Sequence, residues 1–453
     1  MQLLWNKKQK LNILDLRKQA EEIFKYVIHT LDPEQLIKNK VRAHGSTLLV
    51  DQKEYNLKDY DHIYVVGGGK ACAPMAKAME EILGNKLDNG IIIVKYDHGL
   101  PLKKIKIVEA AHPLPDLSGQ KGTSEILSLL SNAGKKDLII CLISGGGSAL
   151  LVQPHKEISL QDIQVASNEL LSCGAEIGEI NSVRKHLSTI KGGQLAKASY
   201  PSTLVTLMLS DVIGDPMDII ASGPTVPEES TFEDACKVIQ KYSLESRIPD
   251  SVNKLLEKGR TGGIEENPKR GNKVFVNTQN VIIGSNKMAV ELAKEKATKL
   301  GYNTIILPSP IQGESKEAAK SFASIAKEIS RSESPIPKPA CIIAGGETTV
   351  TIKGNGKGGR NQEFALSSAI EIEGHEGIVI LSGGTDGTDG PTDATGAIVD
   401  VHTCKYAREK FCLNPEDFLS RNDSYHFFKN IEQHLITGPT LTNVMDIMIS
   451  LIN

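Results

Sequence analysis

The sequence predicts an α/β protein built on parallel strands whose faces are covered by helices. The chain has 453 residues, which is too long for one hydrophobic core and predicts two or three domains of roughly 100–200 residues each. Apolar, β-branched runs of strand length recur along it, and Gly-, Ser- or Asp-rich loops and helical segments follow them. Such continuous runs are typical of a parallel sheet that is buried on both faces.

Helices and strands alternate through the first half of the chain. An amphipathic helix is predicted over Leu11–His29, because Leu14, Ile23 and Val27 fall on one face. The strand-like runs that follow are His62–Val66, Gly90–Val94, Ile105–Ala110, Leu138–Ile143 and Leu204–Leu209. We expect these runs to be the strands of one doubly wound domain.

The second half continues the pattern after a polar segment, 257–273, which is interpreted as a linker or an exposed loop. Its strand-like runs are Val274–Ile283, Thr304–Leu307, Ala340–Ala344 and Gly377–Leu381. We therefore expect two domains, one over residues 1–248 and the other over 249–453.

Composition argues against several classes of partner. The net charge of −3 gives no reason to expect nucleic acid or an acidic membrane. No apolar stretch reaches the roughly 18 residues of a spanning helix, and the Lys-rich start lacks the apolar run of a signal peptide. The seven cysteines form no CxxC pair and predict free thiols in a reducing compartment. We expect a cytoplasmic protein that binds neither nucleic acid nor membrane.

The first candidate loop is glycine-rich and ends on a lysine. Gly67, Gly68 and Gly69 follow the first strand, and Lys70 comes next. Ligands of open α/β sheets bind beyond the carboxyl ends of the strands, where glycine lets the backbone approach an anion. The loop is not a Walker A motif, and Cys72 replaces the last glycine of a dinucleotide fingerprint. A tight structural turn with a solvated lysine is the alternative interpretation.

The second candidate loop places three glycines between two hydroxyl groups. It consists of Ser144, Gly145, Gly146, Gly147 and Ser148. Backbone N–H and Ser O–H groups in such a loop can converge on a phosphate or a carboxylate. The spacing is not that of a hydrolase elbow. A purely structural turn explains the pattern equally well.

A basic segment follows, with Arg184, Lys185 and Lys191 close together. Arg184 and Lys191 are seven residues apart and share a face if the segment is helical. This patch suits an anionic ligand. A solvated helix face is the alternative interpretation.

Two further loops carry charge in the last third of the chain. Glu347 follows a glycine pair at a strand end, and a second glycine pair precedes Arg360 and Asn361. A glycine-flanked arginine is a good fork for phosphate, although a solvated arginine in a hairpin fits too. Asp386 and Asp389 lie in a Gly/Thr-rich loop with a third aspartate close by, a composition that favours a hard cation over a plain turn.

Together these segments resemble the glycerate 2-kinase family, which has an N-terminal glycerate-kinase-type domain and a C-terminal MOFRL domain. The resemblance covers the chain from about Leu11 to Leu451. It is carried, in this order, by GGGKACAPMAKAME, HPLPDLSGQKGT, SGGGSALL, INSVRKHLSTIKGG, LSDVIGDP, ASGPT, GGETTVTIKGNGKGGRNQE and GGTDGTDGPTDATGAIVD.

The resemblance implies a Rossmann-like first domain, a mixed α/β second domain and an active site in the cleft between them. It implies transfer of the ATP γ-phosphoryl group to the 2-hydroxyl of D-glycerate, with Mg²⁺ or another divalent cation. The family's key cations fall on Lys70 and Arg360. We expect Arg184 or the loop 144–148 to hold the glycerate carboxylate, and Asp386 or Asp389 to help hold the metal. A homo-oligomer is compatible with the sequence.

Two other functions compete with this one. An NAD(P)H-dependent hydroxypyruvate reductase would need a complete dinucleotide fingerprint, which Cys72 interrupts, and an acid after the second strand, which Asp97 could supply. A non-catalytic protein that binds a sugar acid would not need Lys70, Arg360 and the aspartate cluster together.

Overall fold

The computed structural model describes residues 12–308 and 310–453 and divides the chain into two compact units. The first unit is Pro33–Ser285. The second unit is Asn286–Asn453 together with the described part of residues 1–32. That part forms helix α1, Ile13–Thr30, so the helix predicted from Leu11 is present, although Leu11 lies outside the described residues.

The first unit contains a Rossmann-like parallel sheet in the strand order β6-β5-β4-β7-β8-β9. A small antiparallel sheet precedes it, made of β1 (Val41–His44), β2 (Thr47–Val50) and β3 (Lys53–Asn56). The large sheet consists of β4 (His62–Gly68), β5 (Asn89–Lys95), β6 (Ile105–Ala110), β7 (Asp137–Ile143), β8 (Thr203–Leu209) and β9 (Thr278–Gly284). The order reverses between β4 and β7, and such a switch point is where open α/β sheets bind ligands.

Nine helices belong to the described first unit. They are α2 (Pro33–Lys40), α3 (Cys72–Leu83), α4 (Leu117–Ser131), α5 (Gly147–Leu150), α6 (Leu160–Ser172), α7 (Ile177–His186), α8 (Gln194–Ser199), α9 (Phe232–Lys241) and α10 (Asp250–Arg260). Helices α6 and α9 begin at capping boxes, Ser159 with Asp162 and Thr231 with Asp234, which satisfy the free N–H groups of the first turn.

The second unit contains a mixed sheet in the strand order β10-β11-β15-β12-β13-β14. Its strands are β10 (Asn303–Ile306), β11 (Ala340–Gly346), β12 (Ile378–Gly384), β13 (Gly396–Asp400), β14 (His434–Leu435) and β15 (Asp446–Ile452). Its remaining helices are α11 (Asn286–Lys299), α12 (Ser315–Ser332), α13 (Arg360–Ile372), α14 (Thr403–Phe411), α15 (Pro415–Ser420) and α16 (Ser424–Ile431). Among the described strands of this sheet, β10 and β11 pair in parallel, and the other strand pairs are antiparallel.

The predicted fold class is confirmed, while the structure moves the predicted domain boundary from residue 248 to residue 285. Helix α10 packs on α9, and β9 pairs with β8, so residues 249–285 complete the first unit. Helix α1 packs on α11 and therefore belongs to the second unit. These tertiary contacts leave no signal in the local sequence pattern.

The cysteines and the helices of the described chain have the following character. All seven cysteines have free thiols, and Cys72, Cys141, Cys341 and Cys404 are buried. Among the helices that the structure describes, none combines the length and the apolar character that crossing a bilayer requires.

The packing of β4 against β7 provides a test of the fold. A Cβ atom at Gly67 would lie 2.0 Å from the carbonyl oxygen of Leu142, so we expect Gly67→Ala to destabilise the first unit by at least about 3 kcal/mol. Gly178→Ala is the matched control, because Gly178 lies in α7 with no atom within 4 Å of the added methyl group. It should be neutral or stabilising by up to about 1 kcal/mol. Thermal unfolding followed by circular dichroism compares them, and equal melting temperatures would contradict this account.

Candidate active site

The loops after β4 and β7 are packed directly on each other. A Cβ atom at Gly69 would lie 2.2 Å from Ser144 Oγ, and one at Gly68 would lie 2.7 Å from Leu151 Cγ. Gly67 and Gly69 both have φ near +152°, a region that only glycine adopts without strain. The three glycines therefore permit close packing between the loops.

The backbone N–H groups that follow these glycines are used inside the protein. The N–H of Lys70 donates to the carbonyl oxygen of Gly145 at 2.9 Å. The N–H of Ala71, the residue that precedes α3, donates to Ser144 Oγ at 3.0 Å. Ser144 is buried, so its hydroxyl holds the start of α3. These two N–H groups are therefore not free to bind a ligand.

Gly146 and Gly147 bring the second loop close to three other residues. Gly146 has a left-handed φ of 82°, and a Cβ there would lie 3.0 Å from His112 Cδ2 and 3.2 Å from Lys70 Cγ. A Cβ at Gly147 would lie 2.8 Å from Ala221 Cβ. Sequence reasoning missed His112, although it opens the HPLPD segment directly after β6.

Lys191 forms hydrogen bonds with the second loop and with the residues that follow it. Its Nζ donates to the carbonyl oxygens of Ser148 at 2.6 Å and Leu151 at 3.1 Å, and it lies 3.4 Å from Ser148 Oγ. Burial and the nearby Arg184 lower the pKa of Lys191 well below its ordinary value. Since three oxygen acceptors use the three donors of this amine, its position favours a role in shaping the loop over direct contact with a ligand.

A strained turn lies beside the same loop. Ala221, Ser222 and Gly223 have φ values of 50°, 62° and 59°, and such left-handed conformations are costly for residues other than glycine. Ser222 Oγ lies 2.8 Å from Ser148 Oγ and 3.4 Å from Asn181 Oδ1. Backbone strain of this kind concentrates at functional sites.

Arg184 is the basic residue of helix α7 without an acidic partner. Its Nε is buried and has no hydrogen-bond partner within the described residues, and burial lowers the pKa of its guanidinium. The neighbouring Lys185, by contrast, is paired with Glu228 at 2.6 Å and Asp218 at 3.5 Å. An orphaned, half-buried donor set of this kind fits an anionic ligand.

In the second unit, Arg360 is gripped by two carboxylates. Its Nε and Nη2 donate to Asp446 Oδ2 at 2.5 Å and Oδ1 at 2.9 Å, and Nη1 donates to Glu347 Oε1 at 2.6 Å. Burial opposes the charge of Arg360, but the bond to Asp446 outweighs it and raises the pKa of the guanidinium. Sequence reasoning missed Asp446, the lone charge at the head of the apolar β15.

Asp389 caps helix α13. Its Oδ1 accepts the backbone N–H of Asn361 at 3.0 Å, and its Oδ2 accepts that of Gln362 at 2.8 Å. Burial raises the pKa of Asp389 to about 6, against the effect of these bonds. Asn361 is also buried, and it accepts a bond from Ser382 Oγ at 2.7 Å. Asn361 and Asp389 were predicted to bind substrate and metal, respectively. In the structure both residues fix the start of the helix whose first residue is Arg360.

Asp386 differs from Asp389 in its exposure and in its hydrogen bonds. It is partly exposed, and its Oδ1 accepts the N–H of Thr388 at 3.1 Å. Asp393, the third acid of the loop, accepts the hydroxyl of Tyr425 at 2.7 Å. In the part of the chain that the structure describes, no group of three or more His, Cys, Asp or Glu side chains is arranged to hold a metal ion.

Within each unit, then, several predicted residues come together. The first unit gathers Lys70, the loop 144–148 and Lys191, while the second gathers Arg360, Glu347, Asn361 and Asp389. The fold and these groups of residues define an α/β protein with a Rossmann-like unit and with basic side chains gathered beside glycine-rich strand ends.

Family models match two parts of the chain. Residues 19–257 match a family described as a domain of unknown function, DUF4147, and residues 340–446 match the MOFRL family. The chain is 41% identical over 440 residues to a glycerate 2-kinase from Pyrococcus horikoshii, covering 97% of this chain and 98% of that protein. It is 42% identical over 438 residues to a D-glycerate 2-kinase from Thermotoga maritima, covering 96% of this chain and 98% of that protein.

A solved structure and a differently named relative complete the comparison. The fold is similar to a crystal structure of glycerate kinase from Thermotoga maritima, with a TM-score of 0.87 at 42% identity, covering 97% of this chain and 100% of that one. A protein from Agrobacterium vitis named putative hydroxypyruvate reductase is 41% identical over 390 residues, covering 86% of each. The chain belongs to the glycerate 2-kinase family.

The helix cap provides a second test. Asp389→Ala removes the acceptor for two backbone N–H groups of α13, so we expect it to lower the free energy of unfolding by about 2 kcal/mol. Asp386→Ala removes an acid from the same loop and should change it by no more than about 0.5 kcal/mol. Thermal unfolding of both variants without added metal distinguishes them. A smaller loss for Asp389→Ala than for Asp386→Ala would refute the cap.

Proposed function

We propose that this protein transfers the γ-phosphoryl group of ATP to the 2-hydroxyl of D-glycerate, giving 2-phosphoglycerate and ADP. The observation that carries the proposal is the pair of cations, Lys70 and Arg184, around the switch-point loop 144–148 that have no carboxylate partner within the described residues. Both proposed substrates are anions. Membership of the glycerate 2-kinase family supports this choice of anions.

The reductase alternative is less well supported by the first loop. A dinucleotide enzyme binds pyrophosphate with free N–H groups at the start of the helix after the first strand. Here the N–H groups of Lys70 and Ala71 are donated to the second loop. Cys72 fills the place of the last fingerprint glycine, with its Sγ 3.4 Å from the carbonyl oxygen of Leu142.

Glycerate carboxylate is assigned, in this proposal, to Arg184. Its buried Nε is unsatisfied, and a carboxylate is the natural planar partner of a guanidinium. Ser148 and Ser222, whose hydroxyls lie 2.8 Å apart, offer donors for the hydroxyl groups of a small acceptor. The 2-hydroxyl oxygen then forms its bond to the γ-phosphorus as the bond to the ADP oxygen breaks, and the hydroxyl proton passes to solvent.

Lys70 and Arg360 are proposed to stabilise the charge on the transferring group. Phosphoryl transfer depends mostly on positioning and on neutralising the equatorial oxygens. Arg360 is oriented by the buried Asp446, whereas Glu347 is exposed. Glu347 is the partner that a phosphate could replace without breaking the bidentate pair.

A divalent cation is expected to accompany ATP, since it bridges phosphate oxygens in such reactions. The residues predicted to hold it fit only in part. Both oxygens of Asp389 already accept N–H donors, whereas Asp386 is partly exposed and uses one oxygen for a turn. We propose that Mg²⁺ arrives on the nucleotide, with Asp386 as the remaining protein candidate. We also place the enzyme in the cytoplasm, in keeping with its free thiols.

The two cations provide the main test of function. Lys70→Ala and Arg360→Ala should each lower kcat at least about a hundredfold, a cautious bound beside the 10³–10⁵ of arginine fingers. Lys156→Ala and Arg331→Ala replace exposed residues of the same types and should change kcat by less than about threefold.

The assay couples ADP formation to glycerate, run beside NADH oxidation with hydroxypyruvate, with melting curves as a folding control. NADH oxidation without ADP formation by the unmodified protein would overturn the kinase proposal in favour of the reductase. If the Lys70 and Arg360 variants are folded and have unchanged kcat, neither residue takes part in catalysis, and both are ordinary solvated charges.

The acceptor contact has a separate test. Arg184→Ala should raise KM for glycerate by roughly 10- to 100-fold, because a hydrogen bond to a charged group is worth about 1.5–3 kcal/mol, and should change KM for ATP little. Arg184→Lys should recover only part of the loss, since lysine lacks the planar fork. An effect confined to KM for ATP would reassign Arg184 to the nucleotide.

A further inference from the structure

A second group of unpaired basic residues lies at the carboxyl ends of β4, β5 and β6. It consists of Lys70 after β4, Lys95 and His98 at the end of β5, and His112 after β6. We call these four residues the basic cluster. Lys70 was predicted from the sequence as a site residue; the other three were not.

Sheet register brings the members of the basic cluster together. Gly68 of β4 pairs with Ile93 of β5, and Lys95 pairs with Ala110 of β6. Lys70 and His112 therefore each lie two residues beyond a paired strand end. Their side chains meet at Gly146, where a Cβ would lie within 3.2 Å of both. His98 follows in a turn closed by its own N–H to the carbonyl oxygen of Lys95 at 3.0 Å.

The positive charge of the basic cluster is not neutralised by ion pairs. Within the described residues, none of the four makes a salt bridge, whereas Lys40, Lys106 and Lys197 on the same unit's surface do. Burial, followed by the charges of Lys70, Lys95 and His98, lowers the pKa of His112 to about 4. The imidazole nitrogens of His112 have no hydrogen-bond partner in the same part of the chain. An anion among these residues would supply both the missing charge and the missing acceptors.

We infer that the basic cluster binds the phosphate chain of the nucleotide, with Lys95 and His112 as contacts beyond Lys70. The inference rests on the proposed function for the identity of the nucleotide. The cluster offers separate point-like donors spread over three strand ends, which suits a chain of phosphates better than one small carboxylate. The glycerate carboxylate is already assigned to Arg184, which lies near Lys191, the residue whose amine donates to the carbonyl oxygen of Ser148.

The test compares phosphate-bearing and phosphate-free probes. Binding of ADP, inorganic tripolyphosphate and adenosine is measured by calorimetry for the unmodified protein, Lys95→Ala and His112→Gln. We expect each substitution to raise Kd for ADP and tripolyphosphate at least about tenfold, the lower end of the loss typical of a hydrogen bond to a charged group. Adenosine binding and KM for glycerate should stay within twofold. Lys106→Ala is the matched control, because Lys106 lies on β6 and is paired with Glu125 at 2.5 Å.

The outcomes separate the two proposals. Unchanged Kd for tripolyphosphate and ADP in both folded variants, or an effect only on KM for glycerate, would overturn the basic cluster as a phosphate site. Lys95→Gln replaces Lys95→Ala if the latter melts early. If the unmodified protein makes no ADP from glycerate and ATP, yet the variants still lose tripolyphosphate binding, the kinase proposal fails and the phosphate site stands.

Discussion

The packing of the β4 loop against the β7 loop is the constraint on which the first unit depends. The backbone of Gly67 packs against Leu142, and that of Gly69 packs against Ser144, so closely that a Cβ atom would not fit at either glycine. The same contact consumes the N–H groups of Lys70 and Ala71. The backbone N–H groups of this loop therefore stabilise the fold and are not available to a ligand. This is why the unit looks like a dinucleotide-binding fold yet lacks the free N–H groups that such binding needs.

Electrostatics divide the basic residues into two groups. Lys185 is buried with its acidic partner Glu228, and Lys191 donates hydrogen bonds to the carbonyl oxygens of Ser148 and Leu151. Arg184 and the basic cluster have no such partners in the described chain. Leaving the buried Nε of Arg184 unsatisfied costs free energy, and the lack of carboxylate partners in the described chain sets these residues apart from Lys185. Lys185 and Lys191 are also the more buried group, whereas Arg184 and the basic cluster are partly exposed.

In the second unit, the inner strand β15 begins with the residue that orients Arg360. It lies between β11 and β12, and its first residue, Asp446, orients Arg360. Asp389 and Asn361 then fix the start of the helix that carries Arg360. A positioned arginine loses less freedom when it binds phosphate than a solvated one does.

The sequence by itself determined the fold class, the strands from His62 to Leu209 within two residues, and the glycine-rich strand ends that precede Lys70 and Arg360, because periodicity and glycine-rich strand ends are local properties. It did not reveal β15, the boundary at residue 285, or the roles of Ser144, Lys191 and Asp389. Those depend on which distant groups meet: the hydroxyl of Ser144 lies 73 residues from the N–H it accepts, and Arg360 lies 86 residues from Asp446. A side chain's type limits the bonds it can form, but only tertiary structure decides whether a partner already occupies them, and so whether a charge is left for a ligand.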